Sequence, residues 1–153
     1  MQEENNLSII NEQAVEVGVA ACDKETVFEH VARRLEQIGV LTSSEHFKKD
    51  LYERESQGPT GIGGGIAIPH GKSLAVKNTC ISIVKLEQPI QWESFDDEPV
   101  QIVILFAVSL ADKNNKFLSM MAQVARKLAN EEVCLRLAAA ATPQELIQAL
   151  GAA

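Results

Sequence analysis

The sequence predicts an α/β fold, a sheet sandwiched between helices on both faces. Three observations predict it. Val100 to Val108 (VQIVILFAV) is almost continuously apolar, as a central strand covered on both sides must be. Residues 79–86 (TCISIVKL) form a second β-rich run. Apolar residues recur at helical spacing near both ends of the chain, so helices precede and follow these strands. With 153 residues, a single domain over 1–153 is expected.

The elements follow in order. Residues 1–11 read as a loose lead, with 1–6 flexible. Val15, Val17 and Val19 alternate with Glu16 and Gly18, which predicts a short strand. Asp23 is placed to cap a helix carrying Val27, Val31, Leu35 and Ile38 on one face, and Gly39 stops it. Thr42-Ser43-Ser44-Glu45 reads as a capping box for a second helix, with Phe47 and Leu51 facing inward, to about Glu55. Six of the nine glycines then fall between Gly58 and Gly71. Inside this stretch Ile66-Ala67-Ile68 is a short apolar strand, and Pro69 ends its capacity to donate ladder hydrogen bonds. Residues 87–99 read as a polar connection between the two long strands. Phe117, Leu118, Met121, Val124, Ala125 and Leu128 mark an amphipathic helix, and Glu131–Ala139 a shorter one. Thr142-Pro143-Gln144-Glu145 opens a last helix through Leu150, closed by Gly151.

Composition excludes several classes of function. Fourteen basic against 21 acidic side chains give a net charge of −7, and no basic block offsets it, so nucleic-acid binding is not expected. The longest apolar run, Ile102 to Val108, is far short of the roughly 20 residues of a membrane helix. The start, Met1-Gln2-Glu3-Glu4-Asn5-Asn6, is not a signal peptide, so a cytoplasmic protein without membrane insertion is expected. Cys22, Cys80 and Cys134 form no disulfide framework or zinc motif, and His30, His46 and His70 lack metal-ligand spacing. No metal or cofactor is expected. His30 and His46 read as surface positions on amphipathic helices.

The glycine-rich stretch carries the chemistry, and it is not a nucleotide loop. Gly71-Lys72-Ser73 resembles the end of a P-loop, but that motif needs glycine where Ile66 stands, and Ile-Ala-Ile-Pro-His is too bulky to wrap phosphates. The dinucleotide fingerprint fails because a helix, not a strand, precedes the glycines. What remains is a glycine-rich loop, a short strand, then Pro69-His70-Gly71. Pro69 fixes a backbone dihedral beside the histidine, and Gly71 removes bulk on its other side. If one ring nitrogen of His70 donates to a carbonyl, the other keeps a lone pair that can act as a nucleophile.

Glu55 through Gly71, ESQGPTGIGGGIAIPHG, resembles the active-site signature of the mannitol/fructose-type (type 2) enzyme IIA domains of the bacterial phosphoenolpyruvate-dependent sugar phosphotransferase system. The order of elements agrees over roughly residues 7–150. The resemblance implies a mixed, five-stranded sheet between helix layers. It implies that His70 takes a phosphoryl group from the carrier HPr and passes it to a cysteine of enzyme IIB, which serves a membrane enzyme IIC. It also implies that Arg54, sixteen residues before His70, stabilises the phosphoryl charge.

The chain departs from the family in two places. Aligning Phe106–Ala125 by its apolar pattern puts Phe117 where fructose- and mannitol-type members carry a second histidine, a feature shared with the galactitol-like branch. Gly64 stands where relatives have a polar side chain, and the expected result is a looser or more open site. HPr and enzyme IIB must reach the same imidazole in turn, so a shared rim is expected, built from Phe117, Met120 and the Asp96-Asp97 loop. Three functions compete: a free-standing phosphocarrier for sugar uptake, a nitrogen-type regulator whose His70 phosphorylation controls protein partners, and a hydrolase using His70 as a base. The third ranks last, because no Ser, Asp or Cys stands at a spacing that supports it.

Overall fold

The computed structural model describes residues 9–111 and 116–151, so residues 1–6 of the expected flexible lead lie outside the described residues. The elements are β1 (Ile10–Val19), α1 (Lys24–Gln37), α2 (Ser44–Ser56), β2 (Gly61–Gly63), β3 (Ile66–Ala67), β4 (His70–Ser73), β5 (Cys80–Ile90), β6 (Val100–Ser109), α3 (Lys116–Leu128), α4 (Glu131–Ala139) and α5 (Pro143–Gly151).

The sheet is mixed. Its order is β1-β5-β6-β3-β2, and β4 also pairs with β6. β1 runs parallel to β5, β5 antiparallel to β6, and β6 parallel to both β3 and β4. Six strands therefore occupy five places, because β3 and β4 lie end to end along one edge of β6. Ile66 and Ala67 pair with Ile102 and Val103, and His70 to Ser73 pair with Phe106 to Ser109. The break falls at Ile68-Pro69. Proline cannot donate, but its carbonyl still accepts from Phe106 N–H at 3.0 Å, so the ladder resumes at once. The sequence reading ended this strand at Pro69 and missed the resumption.

β6 is apolar on both faces because both faces are covered. Val103, Leu105 and Ala107 join Val27, Phe28, Val31 and Leu35 of α1 and Phe47 and Leu51 of α2. Ile102, Ile104, Phe106 and Val108 point the other way, to Val124 and Leu128 of α3, Leu137 of α4 and Leu146 and Leu150 of α5. Alternate side chains thus feed two separate cores, the period-2 signature of a strand within a sandwich.

The structure corrects several local readings. β1 begins at Ile10, inside the expected lead, because its pairing with β5 slips between Ile10 and Val15 and hides the alternation there. β5 runs on to Ile90, past the boundary expected at residue 86. The cap of α2 is Ser43, whose hydroxyl accepts from His46 N–H at 3.1 Å, while Thr42 turns away to the Ala75 carbonyl. Asp23 caps α1 as expected, accepting from Thr26 N–H at 2.8 Å. At α5, Thr142 accepts from Glu145 N–H, and the Glu145 carboxylate reaches back to Ala141 N–H, one residue before the cap. His46 is exposed. His30 is half-buried and meets the Glu16 carboxylate at 3.0 Å, tying α1 to β1. That bond raises the His30 pKa and holds the Glu16 carboxyl below the usual carboxylate range. Among the described residues no helix is long and apolar enough to cross a membrane.

One contact sets the position of everything that follows. α2 crosses β4 at Gly71, where a Cβ would stand 3.0 Å from Phe47 Cε1 and 3.3 Å from Leu51 Cδ2. Glycine lets the helix sit this close. Gly71→Ala therefore forces α2 outward and is expected to cost about 1–3 kcal/mol of stability, measured by urea unfolding. An unchanged midpoint would mean that α2 does not rest on β4.

Candidate active site

His70 is the first residue of β4, opposite Phe106 of β6. Arg54 lies in the last turn of α2. Phe47 and Leu51 pack on Gly71, and the next turn of the same helix carries Arg54 toward the neighbouring His70. Arg54 Nε–H donates to His70 Nε2 at 3.0 Å, and Nη1–H donates to the Gly58 carbonyl at 2.9 Å. The two candidate residues from the sequence are thus in direct contact.

This contact determines the histidine's proton. Guanidinium has donors only, so Nε2 must be the acceptor and the ring proton must sit on Nδ1. Nδ1 faces the Ile68 carbonyl at 3.4 Å. The strand break at Ile68-Pro69 supplies that carbonyl. Burial lowers the His70 pKa below its ordinary value, and the Arg54 charge lowers it further; the Ile68 carbonyl and Glu55 partly oppose this. At neutral pH the ring is neutral, with one nitrogen lone pair aimed at a cation. A base awaiting a hydroxyl nucleophile would hold a serine or threonine there, and His70 holds an arginine.

Phe117 is brought beside His70, their ring centroids 6.3 Å apart and tilted by 42°. Lys72, two residues along β4, places its ammonium 5.6 Å from the Phe117 ring centroid. Met120 does not belong to the rim. It is only 4% exposed and fills the core beneath α3, because its helical phase points it at the sheet. Asp96 is committed elsewhere: it accepts from Gly64 N–H at 3.0 Å and also from Ser94 Oγ–H and Glu98 N–H, which keep its carboxyl below the usual range. Gly64 therefore belongs to the β2–β3 turn, where Gly63, Gly64 and Gly65 all take left-handed backbone angles (φ of 94°, 68° and 81°). The turn accounts for this glycine, and no opening of the site is needed. Burial pushes the Cys80 thiol up to about 12, which leaves it protonated and inert.

Sequence reasoning missed the cluster behind Arg54. The Glu55 carboxylate accepts from Lys24 Nζ at 3.0 Å, from Thr60 N–H at 3.1 Å and from Thr60 Oγ–H at 2.8 Å, and Lys24 also meets Glu93 at 2.8 Å. The signal was present, since Glu55 opens the glycine-rich stretch directly after Arg54, but two of the three other residues of the cluster, Lys24 and Glu93, lie far away in sequence.

The titration of His70 tests this electrostatic picture. By NMR the imidazole is expected to titrate below about 6.5, the ordinary histidine value. Arg54→Ala removes a nearby positive charge and must raise that pKa, though not fully, because burial is the larger cause. A wild-type pKa at or above the ordinary value would overturn the assignment.

Residues 8–152 match the family described as the phosphoenolpyruvate-dependent sugar phosphotransferase system, EIIA 2. The chain is 33% identical over 147 residues to the 2-O-alpha-mannosyl-D-glycerate-specific EIIABC component of Escherichia coli, a match covering 95% of this chain and 22% of that protein. It is 32% identical over 143 residues to a nitrogen regulatory protein of Klebsiella oxytoca, covering 92% of this chain and 86% of that one. The chain thus spans about a fifth of the length of the sugar-specific relative and most of the regulatory one. In fold it superposes on the nitrogen regulatory protein IIA-Ntr from Neisseria meningitidis (TM-score 0.85, 24% identity, 94% of this chain and 97% of that one). It also superposes on enzyme IIA of mannitol from Escherichia coli, solved in complex with phosphorylated enzyme IIB (TM-score 0.76, 22% identity, 94% and 98%). A glycine-rich stretch leading to a proline and histidine, a sheet covered on both sides, and a match over nearly the whole length agree: this chain belongs to the EIIA 2 family of the phosphoenolpyruvate-dependent sugar phosphotransferase system.

Proposed function

We propose that this phosphotransferase component carries its phosphoryl group on His70 Nε2, takes it from phospho-HPr in the cytoplasm, and hands it to a cysteine of enzyme IIB for sugar uptake through a membrane enzyme IIC. The observation that supports this most directly is the 3.0 Å bond from Arg54 Nε–H to His70 Nε2. It keeps the proton on Nδ1 and the lone pair on Nε2. In the forward step that lone pair attacks phosphorus, and the bond to the donor breaks with its electrons staying on the donor. The ring keeps its Nδ1 proton throughout, steadied by the Ile68 carbonyl. Arg54 gives up its bond to the ring and donates to the phosphoryl oxygens. The transferring group is negatively charged, so a guanidinium already in place stabilises it without reorganisation. In the second step the thiolate of enzyme IIB attacks phosphorus, and Nε2 recovers its electron pair. Phe117 forms an apolar wall of the shared docking rim, while Met120 supports it from the core.

A regulatory reading has one specific observation in its favour. The match to the nitrogen regulatory protein covers 86% of that protein, so the relative is little more than this one domain. In that reading phosphorylation of the same His70 switches a protein partner and moves no sugar.

Incubation with phosphoenolpyruvate, enzyme I and HPr is expected to give an acid-labile label that His70→Ala abolishes. A label that persists in that variant would refute the assignment. Arg54→Ala should remain folded and transfer roughly 30- to 1,000-fold more slowly, the equivalent of about 2–4 kcal/mol at the transition state. Equal rates would leave Arg54 without a role. Membranes holding the neighbouring enzymes IIB and IIC decide between the readings: His70-dependent phosphorylation of a hexose or hexitol supports transport, and control of another protein without sugar phosphorylation supports regulation.

A further inference from the structure

Glu55 lies in the last turn of α2 next to Arg54, yet its side chain is only 8% exposed. Burying a carboxylate is costly unless hydrogen bonds and a counter-charge replace water, and here Lys24 Nζ and both donors of Thr60 do so. The carboxylate thereby joins the start of α1, the end of α2 and the link from Gln57 to Thr60. Lys24 extends the cluster to Glu93, with its ammonium 5.0 Å from the Trp92 ring centroid. The link pinned in this way contains Gly58, whose carbonyl accepts the second hydrogen bond of Arg54 at 2.9 Å. Gly58 N–H in turn donates to the Glu55 carbonyl at 3.2 Å.

The cluster has a second effect. Arg54 lies between Glu53 and Glu55 in sequence, and either could capture its charge. Glu55 is already occupied by Lys24 and Thr60. Among the described residues Arg54 forms no ion pair, and its donors go to His70 Nε2 and the Gly58 carbonyl. The guanidinium keeps a full charge for a phosphoryl group to use.

We propose that Glu55 is a positioning residue: with Lys24 and Thr60 it locks the 57–60 link, so that the Gly58 carbonyl holds the Arg54 guanidinium on His70 Nε2. Glu55 acts through Arg54 and does not touch the reacting atoms. The kinetic half of the proposal rests on His70 being the phosphoryl acceptor, whereas the geometric half is read from the unphosphorylated protein.

The test uses the full chain and two independent variants, Glu55→Gln and Thr60→Val, with folding checked by circular dichroism. In nitrogen-15 NMR, wild-type His70 is expected as one tautomer, protonated on Nδ1. Both variants should show mixed tautomers, because Arg54 no longer selects Nε2 as the acceptor. Transfer from phospho-HPr should fall about ten- to a hundredfold in each. In an Arg54→Ala background the same substitutions should change the rate by less than about twofold, since the residue they act through is gone. If Glu55→Gln fails to fold, Thr60→Val decides, because it leaves the carboxylate and its lysine in place. Folded variants with the wild-type tautomer would overturn the proposal, as would equal slowing with and without Arg54. Should wild-type His70 take no label, the phosphocarrier reading fails, and the tautomer measurement alone decides the role of Glu55.

Discussion

The hydrogen bond from Arg54 to His70 is the contact on which the rest of the site depends. It joins the last turn of a helix to the first residue of a strand, so both must be placed to a fraction of an ångström. Gly71 makes the close approach possible, and Phe47 and Leu51 fill the space it leaves. The helix starts at a defined residue because the Ser43 hydroxyl satisfies His46 N–H. A shift of one residue in α2 would rotate Arg54 by about 100° and carry its guanidinium off the ring. Capping, packing and the glycine therefore serve one bond.

The sheet contributes an irregularity at the right place. A regular strand would use the Ile68 carbonyl in the ladder or turn it away from the histidine. Pro69 breaks the pairing of β3 and β4 with β6, and the freed carbonyl lies 3.4 Å from Nδ1. The imidazole is held on two sides, by a cation that forbids a proton on Nε2 and a carbonyl that favours one on Nδ1. Burial keeps the ring neutral. Arg54 acts at Nε2 and the Ile68 carbonyl at Nδ1, which is why one tautomer is chosen without a second histidine at Phe117.

Charge is divided unevenly over the molecule. The chain carries −7 overall, and Glu93, Asp96, Asp97 and Glu98 crowd the connection between β5 and β6. At the imidazole the nearby groups are Arg54, the Phe117 ring and, over that ring, Lys72. Asp96 spends its lone pairs on the backbone of its own loop and of the β2–β3 turn, and Glu55 spends its own on Lys24 and Thr60. Carboxylates bound in this way do not compete for the guanidinium. An acidic protein can thus offer an anion a positive position without a basic patch.

Much of this was legible in the linear sequence. Periodicity separated strands from helices, and the two-sided apolarity of Val100 to Val108 required helices on both faces, because only a doubly covered strand can bury both. Asp23 and Thr142 announced their helices through side chains that act within a few residues. Ile-Ala-Ile-Pro-His-Gly, with its glycine-rich approach, singled out His70, and resemblance to a family added Arg54. Other features depend on neighbours distant in the chain. β1 is longer than its alternation suggests because its partner β5 tolerates a slip. β4 exists because β6 offers it an edge beyond Pro69. Met120 belongs to the core because of the phase of α3 over the sheet. Glu55 looks like one more surface charge until Lys24, 31 residues earlier, and Thr60 close around it. Local propensity and periodicity are properties of consecutive residues, so the sequence alone determined most of the elements and pointed to His70. Hydrogen-bond partners are chosen by proximity in space, so the tertiary structure alone decided which nitrogen of His70 keeps its lone pair and what holds Arg54 against it.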